Sequence, residues 1–597
     1  MRHTRTSKLN KILITVIAVC SLLAAVSKLL VGFDIDEGYA IAMPYRFLQG
    51  DRLFAEMWEI HQTSLLLPAL VMKPYLAITG STDGIVLYLR IVSALIHLGM
   101  TGIFVWTIRA LLPEPGSGVT GGTMPLLAAG ALYLNMLPKW MLTLDFSVQQ
   151  LWGLTLLCAG LAWERKNKKP CVSFWTGVAL SLTVLAYPAM LILYPALAVV
   201  YLLLHDGEEI KSRLKKVLWM TAACILTAAL FLGYVMIRLD GENIFTGISN
   251  MLSDGTHSMN RSGRMALALS RWGNVGKQWL FFAFGALVFD AAVYIFTTRV
   301  MKRKMPYKQA FPKRFCNAAL IITSLLLICG EAVGIRMGPF HFQARFLLIF
   351  LMEWILSLKY LSVREHVLYY QSMFLVTVSF AGVLLLSNVG PDASSSYLQI
   401  GLIMGLYMLL TGMREQDTGW VIQAETMTAF FLFLISVIFC KGFYVRYTEY
   451  FPADITQERV RTAEGPLAGI YLLPEDAEVE LMSRRLIEKE TKNGVKSVLL
   501  GTDQILNLSM KGQTVIPSTI STPAFDAQWI TYYTMHPQLM PDLVFIAKNT
   551  VDDRDKFFAE NELGIWLSER YDTEQMTEND ALCLIRKKGG VIGKEQK

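Results

Sequence analysis

The segment FDIDEGYAIAMPYRFLQGDRLFAEMWEIHQTS, residues 33–64, follows directly on an apolar stretch at 12–32 and opens with three acids in four residues, Asp34, Asp36 and Glu37. The preceding stretch is long enough to cross about 30 Å of hydrocarbon, so this negative charge stands at the edge of a bilayer. Ahead of it lies the basic tail MRHTRTSKLNK. Basic-then-apolar is the order of a signal peptide, but the apolar part exceeds the roughly 7–15 residues of a signal core, which predicts an uncleaved signal-anchor.

The rest of the chain extends this reading. Of its 597 residues, 53% are hydrophobic and 17% charged, and the mean hydropathy is +0.41. A soluble chain carries charge on about a quarter of its residues. Apolar segments fall near 12–32, 84–108, 124–142, 147–163, 172–187, 189–204, 217–237, 277–298, 315–335, 345–361, 367–387, 397–412 and 425–445. On length they predict a polytopic α-helical membrane protein of about 13 spans. Pro138, Pro188 and Pro195 mark kinks or re-entrant turns among them.

Lysine and arginine set the orientation. The N-terminal tail, ERKNKK (164–169), EEIKSRLKK (208–216) and RVMKRKMPYKQAFPKR (299–314) are basic, and the span count puts all of them on one side. By the positive-inside rule that side is the cytoplasm, with the N-terminus. The net charge of +7 thus reports topology in a cell membrane and not nucleic-acid binding. Seven of the eight cysteines lie in or beside spans and only Cys583 falls in the polar C-terminal part, with neither zinc nor redox spacing.

Three segments then face outward: 33–83, 238–276 and everything after 446. Residues 1–445 read as the membrane domain and 446–597 as an extracytoplasmic α/β domain. In the latter, GIYLLP (469–474), KSVLLG (496–501), DLVFIA (542–547) and ALCLIRK (581–587) read as strands, and residues 475–494 and 553–571 as helices. No glycine-rich phosphate loop follows its first strand.

Taken alone, the acids after the first span have a structural explanation. Asp34 or Asp36 suits a helix N-cap, and acids in a first turn complement the helix dipole. Beyond them, YAIAMPYRFLQG (39–50) places Tyr39, Ala42, Met43 and Phe47 roughly on one face, as in a helix lying in the interface, with Pro44 to kink or restart it. A second non-spanning stretch, residues 57–80, holds Glu59 and His61.

Together, Asp36-Glu37-Gly38-Tyr39, Gly50, Glu59, His61-Gln62 and Arg90 resemble the GT-C superfamily of membrane glycosyltransferases. The branch is the one that includes protein mannosyltransferases and the bacterial aminoarabinose transferases of lipid A. The local match covers about sixty residues; the expected topology extends it over the chain. The resemblance implies transfer of a sugar from a polyprenyl-phosphate carrier to an extracytoplasmic glycan, lipid or protein. It implies Asp36 as the carboxylate base, with Glu37 and Glu59 positioning the acceptor. A divalent cation, Mg or Mn, is implied on Asp36 and Glu59, with His61 as a further ligand, although a lone histidine is more often a structural hydrogen-bonder.

Tyr39, His61 and Gln62 are the implied substrate contacts. The leaving phosphate calls for cations, and Arg336, His341 and Arg345, around MGPFHFQA between two late spans, are the candidates. Arg261, Arg264 and Arg271 are further ones. One departure is plain: WEIHQTS lacks the Lys-Pro that often follows this Glu in the lipid A transferases, so no phosphate-binding lysine carries over. The competing class is a transporter or flippase of lipid-linked saccharides, for which paired halves and buried intramembrane charges are the marks.

Overall fold

The computed structural model describes residues 2–112, 123–138, 142–205, 207–239, 244–251, 261–302, 307–332, 339–386, 394–412, 419–443, 445–448, 451–453, 457–492, 494–522, 526–551 and 553–589. All thirteen apolar segments fall on helices. They are α1 (Arg2–Leu30), α4 (Ile85–Ala110), α5 (Thr123–Asn135), α6 (Phe146–Asn167), α7 (Ser173–Ala186), α8 (Leu193–Leu203), α9 (Ile210–Arg238), α11 (Arg261–Ile295), α12 (Tyr307–Ala332), α13 (Pro339–Tyr360), α14 (Val367–Leu386) and the helices Gln399–Gly412 and Gly419–Ser436. Among the described residues, six helices are long and apolar enough to cross a membrane, and several shorter apolar ones pack beside them. The chain is a multi-pass membrane protein.

The short helices have local causes. Tyr187 is extended (φ −147°, ψ 102°) and Pro188 opens a 3₁₀ turn that leads into α8. The chain therefore breaks where Pro188 forbids a continuous ladder, and α7 and α8 become two short helices. Close packing relies on small residues. Gly153 and Gly160 of α6 lie against Thr183 and Thr176 of α7, and a Cβ on Gly177 of α7 would strike the carbonyl of Met220 in α9.

Two helices lie between α1 and α4, the first within the segment 33–64 and the second just after it. Helix α3 (Leu66–Thr79) leaves Leu70 71% and Ile78 85% exposed, an apolar face on a non-spanning helix, as an interfacial helix requires. Helix α2 (Ile35–Gln49) departs from the same expectation. Tyr39, Ala40, Ile41, Ala42 and Met43 are all buried, so both sides of α2 are covered. Tyr39 and Met43 share a core with Leu53, Phe54, Met57, Leu65, Val235 and Leu239, joined by α10 (Ile244–Met251). Pro44 sits inside α2 without ending it.

The C-terminal part holds a five-stranded mixed sheet in the order β6-β5-β7-β9-β8: β5 (Lys496–Leu500), β6 (Gln513–Thr514), β7 (Leu543–Ala547), β8 (Tyr571–Glu578) and β9 (Leu582–Lys587). Strand β5 runs parallel to β6 and β7, while β9 is antiparallel to β7 and β8. The expected strand at 469–474 shrinks to β4 (Tyr471–Leu472), which pairs with β3 (Val460–Arg461) outside the sheet. The expected helix at 553–571 divides at Asn561, whose side chain caps the second half.

Gly177→Val tests the tight helix contact. The added methyls must push α9 away, and overpacking of this kind costs about 1–3 kcal/mol. Thermal unfolding in detergent should show a lowered midpoint; an unchanged one would mean that the two helices separate freely.

Candidate functional site

The three acids behind α1 have three different fates. Asp34 caps α2, its Oδ1 accepting the Asp36 N–H at 2.9 Å, and is buried. Glu37 is buried too and receives Arg90 of α4 in a bidentate pair, Nε to Oε1 at 2.7 Å and Nη2 to Oε2 at 2.5 Å. The same guanidinium donates to the carbonyls of Leu29 (3.1 Å) and Gly32 (2.6 Å). Arg90 thus ties the last turn of α1 to the first turn of α2. Asp36 stands between these two groups and is half-buried.

Helix α2 stops at Gly50, whose φ of +115° is a left-handed cap that glycine adopts at little cost. The turn returns Asp51 to Arg46, one helical turn back. Arg46 is 1% exposed. Its guanidinium donates to Asp51 Oδ2 (2.8 Å), Glu59 Oε1 (3.2 Å) and the Glu56 carbonyl (3.3 Å). Glu59 also accepts the Thr519 N–H at 3.0 Å and its hydroxyl at 3.4 Å.

Burial lifts the Glu59 carboxyl to about 7 against the pull of Arg46 and Thr519. Burial likewise raises Asp51 despite Arg46. The sheet-bearing part grips this loop elsewhere. Trp58 N–H donates to the Pro517 carbonyl (2.8 Å), Tyr532 hydroxyl to the Glu56 carbonyl (3.1 Å), and Gly32 N–H to the Tyr471 carbonyl (2.9 Å).

His61 lies face to face with Phe146, ring centroids 3.7 Å apart, and both stack on Tyr187, which stacks in turn on Tyr397. Gln62 is fully buried; its oxygen accepts the Phe54 N–H at 2.8 Å. Phe54 has a φ of +65°, a costly conformation for a non-glycine residue, so Gln62 holds a strained turn. Tyr39 belongs to the shared core and is 7% exposed.

The expected metal set is not assembled. Among the described residues no trio of His, Cys, Asp or Glu is placed to hold a metal ion. Asp36 lies on α2, Glu59 is committed to a guanidinium that would repel a cation, and His61 is in an aromatic stack. Among the late candidates, Arg345 on α13 is half-buried with its guanidinium 5.9 Å above the Phe282 ring. Arg336 lies outside the described residues, as does the side chain of His341.

The sequence reading passed over Arg46, Thr519 and Asp145. Asp145 is buried at the start of α6, accepts the Val148 N–H (2.9 Å) and the Ser147 hydroxyl (2.6 Å), and precedes the Phe146 that stacks on His61. Its signal was the Asp-Phe-Ser that opens an apolar run, an N-cap pattern. Arg46 gave a weaker one, a lone cation in an apolar helix.

No family model matches the chain, and no curated protein matches it. Among solved structures, the chain is similar to the Archaeoglobus fulgidus oligosaccharyltransferase in the apo form, at 10% identity with a TM-score of 0.45, covering 93% of this chain and 73% of that one. The same enzyme tethered through a disulfide to an acceptor peptide containing the NVT sequon gives 10% identity, a TM-score of 0.40, and 94% and 73% coverage. The archaeal oligosaccharyltransferase AglB in complex with an inhibitory peptide and a dolichol-phosphate gives 11% identity, a TM-score of 0.38, and 93% and 72%.

The Glu59 cluster has a pH signature. Glu59 titrates at about 7 when folded, against 4.5 as its ordinary value. The folded state therefore holds this proton more tightly; the stability it contributes is complete below pH 4.5 and is lost as pH rises through about 7. The melting temperature should fall across that window in the wild type more than in Glu59→Gln, which cannot ionise. Parallel profiles would remove Glu59 as the titrating group.

Proposed function

We propose that this chain is a GT-C-type glycosyltransferase that moves a sugar from a polyprenyl-phosphate carrier to an extracytoplasmic acceptor, with Asp36 as the general base. One observation carries the reading. Asp36 stands half-buried at the start of α2, between the capping Asp34 and the Arg90-bound Glu37, and keeps an exposed part there. The local pattern that resembles the superfamily has its acid at this position.

In the reaction the acceptor hydroxyl oxygen attacks the anomeric carbon from the face opposite the carrier. Its proton passes to the Asp36 carboxylate, the bond from the anomeric carbon to the phosphate oxygen breaks, and the carrier leaves as polyprenyl phosphate, with inversion. Glu37 is a positioning residue: locked by Arg90, it fixes the first turn of α2 and so the direction of Asp36. Glu59 and Gln62 position the loop that follows. Arg345, a half-buried cation on a membrane helix, is the group proposed to meet the departing phosphate. Tyr39 and His61 shape the wall, and Arg336 and His341 complete the proposed donor side.

Transport of lipid-linked saccharides remains the second reading, and one observation favours it. Asp290 and Arg314 form a buried ion pair at 2.7 Å between α11 and α12, with the buried Lys313 and Glu353 on α12 and α13. Buried charge between helices, where it lies at membrane depth, marks transport paths in many folds.

Asp36→Asn keeps size and most hydrogen bonding while removing the base. Transfer or hydrolysis of labelled sugar from polyprenyl phosphate should slow by about 10²–10⁴, at an unchanged melting temperature. A wild-type rate would remove Asp36 from the chemistry, and sugar crossing liposomes without being consumed would favour transport. The orientation has its own test. Reporter fusions after Asn167, Tyr307 and Ile520 should read cytoplasm, cytoplasm and exterior; a cytoplasmic signal at Ile520 would overturn the layout.

A further inference from the structure

A cavity of about 400 Å³ opens between the start of α2 and the sheet-bearing part of the chain. Its apolar wall includes Phe33 and Ile35, the neighbours of Asp34, together with Leu467 and Leu506. Its polar wall comes from Asp476 and Glu480 of the helix Pro474–Glu490, from Thr502, Asp503 and Gln504 just after β5, and from Asn549 just after β7. It therefore lies at the carboxyl ends of two adjacent parallel strands, where open α/β sheets characteristically bind ligands.

Gln504 gives the independent sign of a ligand. It is 1% exposed, lines the cavity, and neither its amide nitrogen nor its oxygen has a hydrogen-bond partner among the described residues. A buried amide left unpaired is costly, and a ligand donor and acceptor would satisfy both ends. Gly38 of α2 leaves room for it: a Cβ there would stand 3.0 Å from Gln504 Oε1. The Gln504 amide thus comes up against α2 at Gly38, the residue directly after Glu37.

Charge selects the ligand. Three carboxylates line the cavity and, among the described residues, no lysine, arginine or histidine does. The nearby Arg484 is already paired with Glu464 (2.8 Å), Glu480 (3.4 Å) and Glu488 (3.6 Å). Ionised carboxylates only accept hydrogen bonds, so the occupant must bring donors. A phosphate would meet repulsion from Asp476 and Asp503, which, unlike Glu480, have no cation paired with them among the described residues. Burial holds the Glu480 carboxyl up at about 7 and raises Asp476 and Asp503 as well, which matches acids lodged in a partly dry pocket.

We infer that this cavity is a subsite for the hydroxyl-rich, non-anionic end of the acceptor, and not for the phosphate carrier. The inference rests on the proposed transfer reaction for the word acceptor; the site itself rests on Gln504, the carboxylates and the strand ends. An apolar wall and a donor-seeking wall facing each other suit a sugar ring, which carries C–H surface on one side and hydroxyls around its rim.

The test uses the full chain in nanodiscs and saturation-transfer NMR with three probes: methyl β-glucoside, methyl β-glucosaminide and glucose 6-phosphate. The two uncharged or cationic glycosides should receive saturation, and the phosphate should not. Gln504→Leu and Asp503→Asn should each weaken glycoside binding by about tenfold or more with the melting temperature kept. Silence from both glycosides, binding that survives both substitutions, or preference for the phosphate would overturn the inference. Glycoside binding alongside an Asp36→Asn variant that turns over donor at the wild-type rate would leave this site standing and sink the transfer reaction. Loss of turnover in that variant without glycoside binding would do the reverse.

Discussion

One guanidinium organises the membrane edge. Arg46 is sealed from solvent and shared by Asp51, Glu59 and the Glu56 carbonyl. Burying an ion is expensive, and a pair is tolerated only where every remaining lone pair and proton finds a partner. That demand fixes three things at once. Helix α2 must end so that Asp51 folds back on Arg46, the loop must bring Glu59 to the same point, and Thr519 must arrive from 460 residues away to complete Glu59. The contact is therefore a joint as well as an ion pair: the loop carrying the acidic edge and the sheet-bearing part meet only in one register. Trp58 reinforces it, lying within the core of that part against Tyr532.

With the joint in place, the acids at 34–37 differ in consequence. Alike in charge and set within four residues, they are separated by partners the sequence places elsewhere. A backbone N–H two residues on takes Asp34, and a guanidinium 53 residues on takes Glu37. The structural and the catalytic explanations of this motif are thus compatible. Two of the acids hold the turn rigid, which is what a third needs in order to present one oxygen at a fixed point.

What was legible in the sequence follows the same division. The apolar segments were legible as helices, but the span count was not: among the described residues six helices have the length and apolarity a bilayer demands, and others, such as α5, α7 and α8, are shorter. Also legible were β5, β7 and β9, buried strands written as continuous apolar runs. The polar run YDTEQMTE carries no buried-strand signal, yet it forms β8, an edge strand held by pairing with β9. Helix α2 was placed in the interface because its length and one-sided apolar face allow it; only the sheet-bearing part and α10, docked from far along the chain, reveal that it is covered on both sides. Arg46, Thr519 and Gln504 became visible only once distant segments met.

The buried charges among α11, α12 and α13 bear on the choice between enzyme and transporter. A path for a saccharide needs a continuous polar opening that changes sides. Here the Asp290 carboxylate and the Arg314 guanidinium close on each other at 2.7 Å, and Arg314 also rests over the Tyr294 ring, 5.2 Å to its centroid. The cavity beside Lys313, Cys316, Asn317 and Thr426 has about 10 Å³, the room of one water. The Glu353 carboxyl is packed against Gly405, where even a methyl would collide with it. These groups are wedged between helices, with no saccharide-sized space beside them in that cavity. A pair that locks two helices together is as good a reason for buried charge as a pore, and this geometry favours the lock. The cavity of about 400 Å³ at the ends of β5 and β7 lies elsewhere, beside the start of α2.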